Sequence, residues 1–141
     1  MKKLIILFVI VASCIVKDAN QKEKQVECIH NILEQDSLLG SLRNHACEVI
    51  SLEATILNYT DSLLALDYSN CPNAFTLAFK SHILAWQKLI PEVEAYDSLR
   101  GEMHELFDVI TAEDIDSSFT LGIKEIWSTW DSVEYYKSKF D

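Results

Sequence analysis

Glycine and proline are nearly missing from this chain, with three Gly and two Pro in 141 residues. That scarcity excludes collagen-like and Pro/Gly-rich disordered chains. Basic side chains are also scarce, 12 Lys and Arg against 22 Asp and Glu, for a formal charge of -10. Nucleic acid is excluded as a partner on that ground, because phosphate backbones are bound by clustered Lys and Arg. The chain has no Gly-rich phosphate loop, no Cys-x-x-Cys, no Cys-x-x-Cys-His haem attachment and no His-Glu-x-x-His, so nothing calls for a cofactor. Ser, Cys and His are scattered without a nucleophile elbow or a recognisable pairing, so no residue is assigned a catalytic role and no enzyme is expected. A hydrophobic content of 49% over this length fits one globular domain.

The chain opens with Lys2 and Lys3, an apolar run from Leu4 to Val11, and the small pair Ala12 and Ser13. This is the three-part layout of a secretory signal. The whole apolar stretch ends at Val16, short of the roughly 20 residues a helix needs to span the hydrocarbon core. Val11-Ala12-Ser13-Cys14 resembles the lipobox of bacterial lipoproteins. That resemblance implies cleavage before Cys14, acylation of its thiol, and a protein anchored to the envelope membrane without spanning it. Ile15 follows the cysteine where an aspartate would resemble an inner-membrane retention signal, which points to the outer membrane in a diderm source. Loss of residues 1–13 removes two lysines and no acid, leaving a formal -12. Residues 1–13 are therefore read as signal peptide, 14–25 as lipidated cysteine and polar tether, and 26–141 as the folded domain.

Within that domain every segment has helical period. Val26, Ile29 and Leu33 share a face that ends near Ser37 to Gly40. A second helix is expected from Leu42 to Asp67, with Val49, Leu52, Ile56, Tyr59, Leu63 and Leu66 on one stripe. Cys47, Ile50, Ala54, Leu57 and Leu64 form another, which would place this helix at the centre of a bundle. Ser69-Asn70-Cys71-Pro72 is a stop and restart signal. The next stripe is Phe75, Phe79, His82, Trp86, Leu89 and Val93, interrupted by Pro91, which must end or kink its helix. Leu99, Met103, Leu106 and Ile110 follow. A last helix, starting near Asp116 to Ser118, either of which can cap it, carries Phe119, Ile123, Ile126, Trp130, Val133 and Lys137, with Trp127 flanking. Period-two alternation and solenoid repeats are absent, so the expected fold is all-α, an up-and-down bundle of about four helices with the third broken at Pro91.

Three cysteines follow Cys14. In a hairpin turning at Ser37 to Leu38, Cys28 and Cys47 fall roughly level across the pair, about ten residues from the turn. A Cys28–Cys47 disulfide with Cys71 unpaired is the expectation, and three buried thiols in a reducing setting are the alternative. His104 and Asp108 lie one helical turn apart and could share a metal. Glu27-x-x-His30 has the Glu-x-x-His spacing of di-metal bundles, but Gly101 occupies the corresponding place before His104, so no metal site is assigned. His104, between Arg100 and Asp108, reads as a solvated helix face. His82 sits in an apolar stripe and reads as a hydrogen-bonded core histidine. Trp86, Trp127 and Trp130 read as core.

The lipobox, the cysteine-bearing helices and the run from Ala78 to Trp86 together resemble the LprI-type lysozyme inhibitor family, with Trp86 matching the tryptophan of its Ala-Gln-x-x-Trp run. The Gln, the Tyr-Arg-Asp segment and the closing cysteine of that family are missing here. The resemblance covers about a third of the chain and implies a non-enzymatic envelope protein that captures a basic cell-wall hydrolase. Alternatives are a structural envelope lipoprotein, or a metal, haem or small-molecule carrier using His82, His104 and Met103.

Overall fold

The computed structural model describes residues 2–113 and 117–141, with side chains from residue 19 onward. Residues 1–13, the Cys14 thiol and Asp116 thus lie outside the described side chains. Among the described residues the chain is all helix and turn, with no strand. The elements are α1 (Lys2–Ala46), α2 (Leu52–Leu64), α3 (Asn73–Lys88), α4 (Ile90–Val93), a 3-10 turn at Glu94–Tyr96, α5 (Met103–Glu113) and α6 (Ser118–Lys137). The all-α expectation holds. With α3 and α4 taken as one helix bent at Leu89, five helices replace the expected four or so.

The bend has the cause read from the sequence. Pro91 lies in the first turn of α4, where its missing N–H costs nothing, and α3 closes one residue earlier with the Leu89 N–H on the Trp86 carbonyl. Phe75, Phe79, His82, Trp86, Leu89 and Val93 are all buried along this bent helix.

The first hairpin departs from expectation. Helix α1 runs straight through Ser37 to Gly40, because one glycine costs only about 1 kcal/mol inside a helix and no proline enforces a stop. The turn falls instead at residues 47–51, where Ser51 caps α2 by accepting the Ala54 N–H at 3.2 Å and Glu53 favours the positive end of the helix. The single helix expected from Leu42 to Asp67 is therefore two. Its second stripe is not a buried face either: Leu57 and Leu64 are 44% and 45% exposed. The most enclosed helix is α3, which packs on α2 and most extensively on α6. Residues 19–24, read as polar tether, are helical and exposed.

Cross-helix contacts show the antiparallel order. Asp36 bonds Tyr59 across α1 and α2, Tyr59 meets Trp86 across α2 and α3, and His82 meets Ile126 across α3 and α6. Where α6 crosses α3 and α4, Gly122 permits close approach, since a Cβ there would sit 2.8 Å from Leu89 Cδ1.

The disulfide joins Cys28 to Cys71, with Cα atoms 5.1 Å apart, and not Cys28 to Cys47. The displaced turn explains the correction. Cys47 immediately follows α1 at the hairpin tip, roughly 28 Å of helix rise from Cys28. Cys28 is level with the far end of α2, where Cys71 follows. Cys47 is a free, buried thiol whose Sγ–H donates to the Arg43 carbonyl at 3.4 Å, and burial pushes its pKa up. Peptide mapping under non-reducing conditions should yield a Cys28–Cys71 peptide and an alkylatable Cys47 only after unfolding. Cys71→Ser should lower stability by about 4 kcal/mol, the chain-entropy value for a loop of this separation.

Candidate functional site

The described residues enclose a half-open cleft of about 560 Å³ between α1, α5 and α6, floored by α2 and α3. Helix α1 contributes Asp36, Gly40, Arg43 and Asn44, and α5 contributes Met103, His104, Phe107 and Asp108. Ile123, Ile126, Trp127 and Trp130 come from α6, while Tyr59, His82 and Trp86 form the floor.

Arg43 is the cation of this cleft. Its guanidinium carbon lies 4.5 Å from the Tyr59 ring centroid and 4.1 Å from that of Trp86, so two π faces hold it. Its Nε and Nη2 donate to Asn44 Oδ1 at 3.2 and 2.9 Å. Tyr59 Oη donates to Asp36 Oδ1 at 2.6 Å. Burial raises the Asp36 pKa against the Tyr59 bond and the Arg43 charge, and burial likewise pushes the Tyr59 hydroxyl upward.

His82 is held at both ring nitrogens. The Trp86 indole N–H can only donate, so Nε2 accepts from it at 3.2 Å and Nδ1 carries the proton. Nδ1–H then faces the Ile126 carbonyl at 3.2 Å and the Thr129 hydroxyl at 3.0 Å. Burial, with Arg43 adding to it and the Ile126 bond opposing, pushes the His82 pKa down to about 4. The ring is neutral, as a hydrogen-bonded core histidine should be, and it offers neither a base nor a ligand. Its neighbours continue an aromatic chain: Trp130 at 5.2 Å from His82, and Phe107 at 6.3 Å from Trp86.

The rim differs from expectation in two ways. Trp127, read as core, is 63% exposed at the mouth. Arg100 precedes α5 and donates to the Asp97 and Leu99 carbonyls, so it does not share a helix face with His104. His104 instead meets Glu102 at 2.8 Å, and that carboxylate also accepts the backbone N–H groups of His104 and Glu105, capping α5. His104 and Asp108 both reach the cleft, yet among the described residues no three His, Cys, Asp or Glu side chains converge as a metal site. His30 is exposed on α1.

Sequence reading missed Arg43, Asp36 and Trp127 as cleft residues. No local signal marked them: Arg43 opens the polar run Arg43-Asn44-His45 near the end of its helix, and Tyr59 comes beside it only through the fold. No known protein family, no curated protein and no solved structure matches this chain.

The His82 environment predicts a pH dependence. Its folded pKa near 4 lies below the unfolded value of 6.5, so the unfolded chain binds more protons between the two. The contribution is intact above pH 6.5 and is lost as pH falls towards 4, by about 3 kcal/mol in total. Asp36, raised by burial, acts in the opposite direction. Thermal melts of wild type and His82→Gln should therefore show a steeper loss of Tm for wild type between pH 7 and 5, from a higher starting value. Parallel profiles would remove His82 as the titrating group.

Proposed function

We propose that this chain is a non-enzymatic binding protein of the bacterial cell envelope, held to the membrane by lipid on Cys14, with the α1/α5/α6 cleft as its binding site. The cleft carries the reading: it is concave, its exposed surface is mostly apolar, and polar groups including Asp36, Arg43 and Asn44 converge on it. A hydrolytic role finds little support, because His82 has both nitrogens engaged inside the protein and, among the described residues, no Ser or Cys is hydrogen-bonded to a histidine. A haem or metal role finds little support for the same reason. The anchor rests on Val11-Ala12-Ser13-Cys14. Among the described residues no helix is long and apolar enough to cross a membrane.

The acidity of the chain favours a second reading, capture of a basic envelope protein such as a cell-wall hydrolase on its outer surface. A formal -12 after signal removal attracts basic partners over a Debye length. Trp86, on which the resemblance to lysozyme inhibitors rests, is 6% exposed. It shapes the cleft floor and offers little surface to a protein partner.

Both parts have direct tests. The wild-type chain should incorporate labelled palmitate and sediment with membranes, and Cys14→Ser should lose both; an unchanged membrane fraction would remove the anchor. Full chain in lipid vesicles should bind a basic lysozyme at low salt and release it at high salt, with a matching loss of wall lysis. Absence of binding at low salt would remove the basic-partner reading and leave the cleft untouched.

A further inference from the structure

The cleft lining carries a single guanidinium, Arg43, beside the carboxylates of Asp36 and Asp108. Arg43 has five N–H donors on its guanidinium, and among the described residues only Asn44 Oδ1 accepts from it. Among the described residues it forms no ion pair. Asp36 takes the Tyr59 hydroxyl at 2.6 Å and acts on Arg43 through space, outside salt-bridge distance. Glu102 is occupied by the first turn of α5 and by His104. A guanidinium that borders a cavity, with Asp36 and Glu102 acting on it only through space and no carboxylate in salt-bridge contact, can receive one, because its planar fork matches a carboxylate and its free N–H donors are partly withdrawn from water. The two rings that clamp it, Tyr59 and Trp86, fix its plane before a ligand arrives.

The rest of the cleft selects the body of the ligand. Trp127 keeps 63% of its surface exposed at the mouth, and Trp130 and Phe107 are half-buried behind it. Flat apolar ligands stack on such rings. A volume of about 560 Å³ suits a small molecule. Asp108, exposed at the rim, and the formal charge of -10 disfavour polyanions.

We propose that the cleft binds a small organic monoanion, its carboxylate on the Arg43 guanidinium and its flat apolar body against Trp127 and Trp130. This rests on the cleft being the binding site.

One series of probes with a common body separates the two claims. Indole-3-acetate, its neutral amide and tryptamine are titrated by calorimetry into the full chain in lipid vesicles, with protein-free vesicles as blank. The carboxylate should bind about tenfold or more tighter than the amide, the difference expected of a hydrogen-bonded charge, and tryptamine should bind weakest. Arg43→Gln should bring the carboxylate down to the amide, and Trp127→Ala, at an exposed position that no fold contact requires, should weaken both alike. Equal binding of carboxylate and amide, or a preference for tryptamine, would overturn the anion and keep the cleft. Absence of binding by all three would overturn the cleft as a site. Should Arg43→Gln fail to fold, the probe ranking and Trp127→Ala decide the matter alone.

Discussion

A cation held inside a helical bundle by aromatic faces is the constraint on which the arrangement of this molecule turns. Arg43 reaches from α1 to Tyr59 on α2 and Trp86 on α3, and each ring contributes about 1 kcal/mol or more once the guanidinium is partly desolvated. Trp86 then passes its indole N–H to His82, and His82 passes its own to the Ile126 carbonyl on α6. Four helices are thus keyed to one another by polar contacts of fixed direction, where apolar packing alone would tolerate sliding. Moving Arg43 by one residue on α1 would turn it about 100° from the rings. The register of the first hairpin and the existence of the cleft are consequences of the same stacking.

The disulfide complements that key at the opposite end of the hairpin. Arg43 lies close to the tip and Cys28 far from it, so the Cys28–Cys71 bridge restrains the middle of α1, which the aromatic stack does not reach. Between them Asp36 and Tyr59 make the intermediate tie. Three contacts spaced along α1 hold one helix face against the bundle, and the remaining faces of that segment are free to stay polar.

Helical class, the burial of the Phe75-to-Val93 stripe, the break before Pro91 and the start of the last helix near Ser118 were legible from residue types, because periodicity and proline act locally, although the cap of that helix is Ser117 and not Ser118. The hairpin turn was not. Ser37 to Gly40 has the composition of a loop, but helix α1 continues there because Asp36 and Arg43 on either side are tied to distant residues. A wrong turn carried a wrong disulfide with it, since cysteine pairing was inferred from levels in the hairpin. His82 was read correctly because a lone histidine in an apolar stripe must find partners within the fold. Trp127 was misread because a tryptophan beside a buried stripe looks the same in sequence whether it closes a core or edges a cavity. Cleft residues come from α1, α2, α3, α5 and α6, and no local pattern links positions so far apart in the chain.

An acidic exterior and a single guanidinium in the cleft act at different ranges on anything that approaches this molecule. The acidic exterior acts over roughly 8–10 Å at physiological salt and repels anions in proportion to their charge. Arg43 acts only at contact, but in a partly desolvated cleft where screening is weak. A monoanion with a large apolar body pays the small exterior penalty once and gains both the guanidinium and the ring contacts. A polyanion multiplies the penalty and meets one cation only. Neutral aromatics escape the repulsion but leave the free Arg43 donors unused, and organic cations are drawn to the surface but meet Arg43 as well as Asp36 in the cleft. A long-range acidic field and a short-range guanidinium contact therefore together favour one negative charge on a large apolar body, and a molecule that displayed Arg43 on a basic surface would have no such discrimination.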